Sequence, residues 1–370
     1  MTLRRTIVRR APGKLFVAGE YAVVEPGNPA ILVAVDRYIT VTVTVPAEEG
    51  VEISSDLGPR NVRLRWRDGR LGPYGEDEQD ARTGLAHVMS AIETVARLLA
   101  ERGHPAPAFS VSVESGLHDN GTKYGLGSSG AVTVATVAAV AAFCGLTLSE
   151  EERFRLALLA TAEIDTKGSG GDLAASTWGG WIAYQAPDRG AVLALARSRG
   201  VEEALHAPWP GFEVRRLPVP KGLSLEVGWT GDPASTAALV SGLHRRPWRG
   251  TASHQRFVQT TTDCVRAAIA ALERGHGQEL LAQIRRARRE LARLDDEVGL
   301  GVFTPRLTAL CEAADALGGA AKPSGAGGGD CGIALLDAEA SRDIAQLRER
   351  WTSAGVVPLP IRPAAEGNKE

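Results

Sequence analysis

The sequence predicts a mixed α+β protein of two domains. Its 370 residues, of which 44% are hydrophobic, are ample for a large core and exceed the usual size of a single domain. The first third of the chain alternates with the period of β-strands, and later stretches repeat with the period of amphipathic helices. The stretch from Ala186 to Lys221 holds five prolines and little periodicity, so it is the candidate junction between the domains.

The elements of the first half follow from local patterns. β-branched and apolar residues recur at about every second position in three segments, which predicts strands at 31–35, 38–45 and 109–113. Apolar residues on one face predict a helix over 85–103. The segment 131–146 is apolar on all sides and predicts a buried helix. Ser149 with Glu152 three residues later is a capping box that opens the next helix.

The second half repeats both patterns. Strands are predicted at 223–229, 331–336 and 356–361. Helices are predicted at 254–273, 278–298 and 339–353, and a further helix begins at Thr304, where a proline occupies the first helical position.

Composition excludes several classes of protein. The net charge of -2 gives no reason to expect nucleic acid or an anionic membrane as a partner. The apolar segment 131–146 is shorter than the roughly 18–20 residues of a membrane span. The N-terminus carries positive charge but no apolar stretch of the secretory kind. The four cysteines lie far apart without a CxxC pair, which indicates reduced thiols in the cytoplasm: Cys144, Cys264, Cys311 and Cys331.

A glycine- and serine-rich turn at 123–130 precedes the buried helix. Its sequence is Lys-Tyr-Gly-Leu-Gly-Ser-Ser-Gly. Small residues let the backbone approach a ligand closely, and a helix start offers free N–H groups and the positive end of the helix dipole to an anion. The turn lacks the GK[ST] ending of a P-loop. Phosphate binding is favoured over a tight turn that merely begins a helix.

Candidate acid–base residues lie nearby in the sequence. The segment 163–172 carries Glu163, Ser169 and Asp172 on a turn of small residues. Asp172 could cap a helix or accept a proton in phosphoryl transfer, and Glu163 could bind Mg²⁺ or lie on a solvated helix face. Lys14 follows a proline–glycine pair and could stabilise charge on a transferring phosphoryl group.

A second glycine-rich loop, 323–330, runs into the strand at 331–336. Three consecutive glycines are costly in backbone entropy, so such a loop indicates that another group comes close. Asp330 at its end could face the site or anchor the loop, and the anchor is favoured.

Three separated segments in this order resemble the three motifs of the GHMP kinase superfamily. They are Pro12–Tyr21 (PGKLFVAGEY), Gly125–Ser129 (GLGSS) and Ser324–Asp330 (SGAGGGD). The resemblance spans nearly the whole chain. It implies an N-terminal α/β domain over 1–190, a C-terminal ferredoxin-like domain over 191–370, and an active site in the cleft between them.

The resemblance also implies roles for individual residues, with ATP and Mg²⁺ as cofactors. Lys14 and Asp172 would be catalytic, and Ser129 and Glu163, with help from Ser128, would hold Mg²⁺. The nucleotide would lie on Lys123, Gly125, Leu126, Gly127, Ser128, Ser129 and Gly130. The acceptor would contact Lys14, Tyr21, Ser169, Asp172, Ser324 and Gly325.

Within the superfamily, the sequence is most similar to bacterial phosphomevalonate kinases of the actinobacterial type. The lead-in to Gly125, the Gly168–Asp172 turn and the pair Cys331–Gly332 carry this likeness. It implies two small-molecule substrates and a monomer or homodimer. Another acceptor such as mevalonate, or a non-catalytic sensor, stays open as an alternative. A basic residue should hold the acceptor phosphate, with Lys167, Lys322, Arg245 and Arg246 as candidates.

Overall fold

The computed structural model describes residues 5–46, 48–56, 61–73, 78–105, 108–119, 121–234, 239, 241–243 and 246–364. Within these ranges the strands form a mixed sheet of eight strands, an antiparallel sheet of four strands and a two-stranded ribbon. Helices pack against both large sheets, so the α+β class predicted from the sequence is confirmed.

The strands of the first half are mostly antiparallel, and β1 and β2 are the longest of those described. They are β1 (Thr6–Ala18), β2 (Pro29–Thr44), β3 (Val51–Ser55), β4 (Val62–Arg67), β5 (Arg70–Pro73), β6 (Phe109–Ser115), β7 (His118–Asp119), β8 (Thr122–Lys123), β9 (Trp181–Gln185) and β10 (Glu213–Leu217). The large sheet runs in the order β10–β9–β2–β6–β3–β4–β5, and β1 pairs with β2. The predicted strands at 31–35 and 38–45 are two parts of the single strand β2.

Six helices of the described N-terminal half accompany this sheet. They are α1 (Glu78–Glu101), α2 (Ser128–Phe143), α3 (Glu150–Ile164), α4 (Gly171–Trp178), α5 (Arg189–Arg199) and α6 (Val201–His206). The apolar helix α2 packs on β1 and β2 and contacts α1, α3 and α4, so its burial on all sides is confirmed. The capping box of α3 is also present: the Glu152 N–H donates to Ser149 Oγ at 3.2 Å, and the Ser149 N–H donates to the Glu152 carboxylate at 2.7 Å.

The second half forms the smaller sheet with helices beside it. Its elements are β11 (Leu223–Trp229), α7 (Ala252–Arg274), α8 (Gly277–Val298), α9 (Pro305–Asp315), β12 (Ala320–Pro323), β13 (Cys331–Asp337), α10 (Ser341–Ser353) and β14 (Val357–Leu359). The strand order β12–β13–β11–β14, with helices after β11 and β13, is the ferredoxin-like arrangement that the motif resemblance implies.

The change from one sheet to the other lies later than the expected boundary at residue 190. Strand β10 pairs with β9 from Glu213 opposite Gln185 to Leu217 opposite Trp181, so residues up to 217 belong to the N-terminal sheet. The smaller sheet begins with β11 at Leu223. The switch therefore falls at residues 218–222, which include two of the prolines of the stretch that marked the junction.

The two halves are closely joined. One hydrophobic cluster includes Val33 of β2 and Ile333 of β13. The end of the described chain returns to the N-terminal half, where the Ala364 N–H donates to the Ala34 carbonyl at 2.8 Å. Among the described residues, no helix combines the length and apolar character needed to cross a bilayer.

Candidate active site in the cleft between the two halves

A cleft of about 550 Å³ is lined by residues from both halves of the chain. It brings together four segments that the sequence singled out: Lys14, the turn at 123–129, the turn at 168–172 and the loop at 325–330. Segments separated by more than 300 residues thus meet around one space.

The turn before α2 presents backbone rather than side chains to the cleft. Gly125 and Gly127 have φ of +81° and +76°, a left-handed conformation that favours glycine. Gly127 is the N-cap of α2 without a capping side chain, and the half-exposed Ser128 and Ser129 form the first turn. This helix start keeps N–H groups available to an anion. Leu126 differs from its neighbours because its side chain is buried in the core.

Lys14 lies against the same turn. Its backbone N–H donates to the Leu126 carbonyl at 2.8 Å, and Nζ donates to the Gly125 carbonyl at 3.4 Å. Only 8% of the residue is exposed, and Nζ lies 5.5 Å from the centre of the Phe16 ring. The ammonium group is therefore held at the wall of the cleft rather than free in solvent.

Asp172 approaches the same turn from the start of α4. It lies in the first turn of α4, after Gly170 in a left-handed conformation. A Cβ atom added at Gly127 would lie 3.0 Å from Lys14 Cε and 3.4 Å from Asp172 Cβ. A Cβ added at Gly130 would lie 2.5 Å from Asp172 Oδ2. Lys14 and Asp172 thus both lie against Gly127, and the predicted catalytic pair is together at the start of α2. Gly130 itself is buried beneath Asp172 and does not line the cleft.

The third glycine-rich loop is held by residues of the first motif. Ser324 Oγ accepts from the Phe16 N–H at 2.8 Å and donates to the Phe16 carbonyl at 3.0 Å. Ser324 is buried outside the cleft lining, so its hydroxyl joins the two halves instead of facing the acceptor as expected. Gly325 and Ala326 do line the cleft.

Tyr21 combines a cleft position with a structural contact. Its hydroxyl donates to the Ala326 carbonyl at 2.5 Å. Burial raises the pKa of Tyr21, and the charges of Asp295 and Glu20 add to the effect, so the phenol stays protonated. The Tyr21 hydroxyl is therefore engaged by the loop, while the residue also lines the cleft.

Asp330 anchors a neighbouring loop and also lines the cleft. Its carboxylate accepts from the Ala234 N–H at 3.1 Å, and its backbone N–H donates to the Asp232 carbonyl at 2.8 Å. Burial raises the pKa of Asp330, opposed by the Ala234 N–H and by the charges of Lys14 and Lys123. The anchoring role favoured from the sequence agrees with these contacts.

Three of the four candidate partners of the acceptor phosphate lie away from the cleft. Lys322 is fully buried and paired with Glu20, and Arg246 donates to the backbone carbonyls of Val298 and Gly299. Lys167 is exposed and does not line the cleft. Arg245 lies outside the described residues.

Glu163 also lies outside the cleft lining. Its carboxylate pairs with Arg97 at 3.1 Å and with Arg197 at 2.8 Å, beside a separate cavity of about 360 Å³. Burial alone would raise the pKa of Glu163, but hydrogen bonds and charges from Arg197 and Arg97 outweigh it and hold the pKa below its ordinary value. Two arginine partners satisfy this carboxylate, so its contacts do not support Glu163 as a ligand of Mg²⁺.

Comparison with known proteins agrees with this geometry. The family models described as GHMP kinases N terminal domain and GHMP kinases C terminal match residues 87–180 and 268–353. A phosphomevalonate kinase from a Streptomyces strain is 74% identical over 371 residues, which cover 99% of each chain. The chain belongs to the GHMP kinases.

Other members of the family share the whole length of this GHMP kinase. A crystallised Streptococcus pneumoniae phosphomevalonate kinase, in complex with phosphomevalonate and AMPPNP, has a TM-score of 0.83 and 29% identity, covering 96% of this chain and 99% of that one. A mevalonate kinase from Thermococcus gammatolerans is 28% identical over 98% of this chain and 97% of its own. The ferredoxin-like second half therefore belongs to the fold of the family.

The donor set of this GHMP kinase suits Mg²⁺ delivered on a nucleotide. Among the described residues, no three His, Cys, Asp or Glu side chains form a metal-binding group. Mg²⁺ prefers oxygen ligands and is commonly bound through one or two protein groups plus substrate phosphates. The hydroxyls of Ser128 and Ser129 and the carboxylate of Asp172 border the cleft at the anion-binding helix start, so the residues fit such an ion.

Two cleft residues of this GHMP kinase escaped the sequence analysis. His87 of α1 has a buried Nδ1 without a hydrogen-bond partner in the described part of the chain. Burial lowers the pKa of His87; Asp172 opposes this, whereas Lys123 and Arg189 reinforce it. Arg189 of α5 is buried and donates to the Gly168 carbonyl at 3.0 Å. Neither residue lies in a recognisable motif, and no local pattern distinguishes it.

Proposed function

We propose that this GHMP kinase transfers the γ-phosphoryl group of ATP to (R)-5-phosphomevalonate, giving ADP and (R)-5-diphosphomevalonate. The convergence of Lys14 and Asp172 on Gly127 carries the proposal for the reaction. The choice of acceptor is supported by the 74% identity to the Streptomyces phosphomevalonate kinase over the whole chain.

The nucleotide phosphates bind at the start of α2. The left-handed glycines at 125 and 127 leave the backbone open, and the uncapped N–H groups with the helix dipole attract the triphosphate. Lys123 at the rim of the cleft adds positive charge. Ser129, with Ser128 beside it, would hold Mg²⁺, which would supply positive charge to the nucleotide phosphates.

The acceptor phosphate needs little help from a base. Its second pKa is about 6, so at pH 7 most of it is the dianion. One of its oxygens attacks the γ-phosphorus, a new P–O bond forms, and the bond to the bridging oxygen of ADP breaks. Asp172 orients the acceptor and Lys14, and the Lys14 ammonium bridges acceptor and γ-phosphate and stabilises charge on the transferring group. The proposal places Tyr21, Ser169 and Gly325 along the acceptor.

Cations that line the cleft are better candidates for the acceptor phosphate than Lys167, Lys322 and Arg246, which lie outside its lining. Lys14, Lys123 and Arg189 border the cleft. Lys14 lies beside Gly325, where an added Cβ would come within 3.9 Å of Nζ. Lys14 is therefore the cation proposed to hold the acceptor phosphate directly.

The acceptor is tested by coupling ADP formation to NADH oxidation with phosphomevalonate and, in parallel, with mevalonate. We expect kcat/KM to be much higher with phosphomevalonate. Mevalonate kinases at 27–29% identity make mevalonate the second candidate acceptor. Faster turnover of mevalonate would overturn the proposal.

The role of Asp172 is tested by Asp172→Asn, which removes the charge and keeps the shape. We expect kcat to fall by about 100-fold or more, because misplacement of reacting groups costs that much, while the affinity for ATP measured by calorimetry changes little. Asp263→Asn, an exposed carboxylate on α7, is the matched control. An unchanged kcat in Asp172→Asn would remove Asp172 from the mechanism.

ATP binding without transfer to any acceptor by the unaltered protein would favour the sensor alternative.

The cellular location, substrates and oligomeric state belong to the same proposal. We place the enzyme in the cytoplasm, acting on two small-molecule substrates as a monomer or homodimer. The net charge of -2 supports the absence of nucleic acid and anionic membrane from its partners.

A further inference from the structure

Arg189 occupies an unusual place for the first residue of a surface helix. Helix α5 begins at Arg189, and the preceding Asp188 caps it by accepting from the Ala191 N–H at 3.0 Å. Arginine at such a position is ordinarily exposed, yet only 7% of Arg189 is exposed. Its side chain turns inward toward the segment that joins α3 to α4.

The guanidinium group of Arg189 holds that segment at three points. Nη1 donates to the Gly168 carbonyl at 3.0 Å, and Nη2 donates to the Asp165 carbonyl at 3.0 Å and to Thr161 Oγ1 at 2.9 Å. All three acceptors lie in the last turn of α3 or in the turn that follows it. The planar fork of donors therefore fixes where the chain leaves α3.

A second buried residue supports the next carbonyl of the same turn. The Tyr184 hydroxyl of β9 donates to the Ser169 carbonyl at 2.6 Å. Ser169 Oγ in turn accepts from the Gly171 N–H at 3.2 Å. Asp172 follows immediately in the first turn of α4, so these contacts set the direction from which its carboxylate enters the cleft.

The guanidinium group of Arg189 lacks direct contact with a described carboxylate. Among the described residues, no Asp or Glu side chain forms an ion pair with it, and its Nε is buried without a hydrogen-bond partner. Burial lowers the pKa of Arg189, opposed by Tyr184 and by the charges of Asp172 and Asp165. Burying a charge is costly, and an apolar side chain could fill the same space. What the arginine adds is the set of donors that an apolar residue lacks.

We propose that Arg189 is a positioning residue for phosphoryl transfer, acting through the turn that carries Ser169 and Asp172. The proposal rests on the function proposed above for Asp172. Arg189 holds the turn in the one arrangement that brings the Asp172 carboxylate against Gly127 and Gly130.

The test replaces Arg189 by Lys and by Gln. Arg189→Lys keeps the charge but cannot reproduce the fork, and it is the deciding variant because it best preserves folding. We expect kcat to fall about 10- to 100-fold, the effect of a small displacement of a reacting group. The KM for ATP should stay within about a factor of two, since the binding site at α2 is not altered. Arg199→Gln, an exposed arginine on the same helix paired with Glu203, should leave both constants unchanged.

A double variant separates positioning from a general structural effect. If Arg189 acts through Asp172, adding Arg189→Lys to Asp172→Asn should lower kcat by less than about twofold, because the group being positioned is already disabled. Losses that multiply in the double variant would overturn the proposal. So would a normal kcat in Arg189→Lys when Asp172→Asn is impaired. A normal kcat in Asp172→Asn would instead overturn the function proposed for Asp172, and with it the route proposed for Arg189.

Discussion

The buried pair of Lys322 and Glu20 offers the sharpest test of how the two halves are joined. Lys322 of β12 is 0% exposed and Glu20 is 4% exposed. Lys322 Nζ donates to the Glu20 carboxylate and, at 2.7 Å, to the Pro323 carbonyl. The same carboxylate oxygen accepts from the Gly325 N–H at 3.3 Å, so the pair lies directly behind the loop that lines the cleft.

Replacing Lys322 by Met keeps the length of the side chain and removes its charge. The Glu20 carboxylate is then left buried without its counter-charge, with one backbone N–H as its remaining donor among the described residues. Removing one partner of a buried ion pair costs about 3–5 kcal/mol. Native proteins are stable by about 5–15 kcal/mol, so this single change should remove a large part of the free energy of unfolding.

Urea unfolding followed by tryptophan fluorescence measures this loss, and the chain has seven tryptophans. A single transition is expected because one hydrophobic cluster runs through both sheets. The double variant Glu20→Gln/Lys322→Met should regain most of the lost stability, since a buried pair replaced as a whole is often close to neutral. Lys221→Met, an exposed lysine before β11, should change the free energy by less than about 0.5 kcal/mol.

Two outcomes would contradict this reasoning. A loss below about 1 kcal/mol in Lys322→Met would mean that Glu20 does not depend on Lys322, since such a loss is far below the cost of breaking a buried ion pair. A double variant as unstable as the single one would mean that packing of the lysine stem, and not the charge pair, carries the effect.

Three further predictions concern the cleft and its borders. Glu163→Gln should leave kcat and the Mg²⁺ requirement unchanged but lower stability at pH 7 by about 0.2–1 kcal/mol. Because the folded pKa of Glu163 is lowered, its contribution to stability is present above the ordinary carboxyl pKa and is lost as pH falls through the lowered value. A raised Mg²⁺ requirement in Glu163→Gln would instead support Glu163 as a ligand of Mg²⁺. Gly130→Ala should lower kcat at least about 10-fold by displacing the Asp172 carboxylate, whereas Gly72→Ala, where the nearest atom lies 3.8 Å from an added Cβ, should not. The His87→Gln variant should lose less stability than the unaltered protein when pH falls from 7.5 to 5.5. The folded pKa of His87 is lowered, so the unaltered protein loses stability as pH falls below the ordinary histidine pKa of 6.5. Thermal unfolding measures both losses, and equal losses would contradict this prediction.

The parts of the fold that the sequence predicted well depend on neighbours in the chain. The capping box at Ser149 uses two residues three positions apart, and the burial of α2 follows from its own composition. The two segments of β2 were separated only because Asp36 and Arg37 interrupt the apolar pattern. These residues lie in one continuous strand, since backbone hydrogen bonds do not require apolar side chains.

The site features that the sequence did not reveal depend on contacts between distant segments. Glu163 forms an ion pair with Arg97, 66 positions away, and this contact holds its carboxylate between helices and outside the cleft lining. Lys322 meets Glu20 across 302 positions. Arg189 lies on an ordinary amphipathic helix, and only the path of the α3–α4 turn shows what its donors hold. Burial and long-range pairing are properties of the fold, so residue type and spacing could not reveal them.

The glycines at 125, 127 and 130 have a second role in the structure, which is to leave room for charged side chains. From the sequence they let a phosphate approach the backbone. In the structure each also makes room for a charged side chain from another part of the chain: an added Cβ would lie 2.3 Å from Asp330 Cβ at Gly125, 3.0 Å from Lys14 Cε at Gly127 and 2.5 Å from Asp172 Oδ2 at Gly130. The turn is thus the surface on which the charged groups are assembled as well as the seat proposed for the nucleotide. The positions of these glycines are therefore constrained by the charged side chains as well as by the phosphate. A side chain at any of the three positions would displace a charged group even without a bound phosphate.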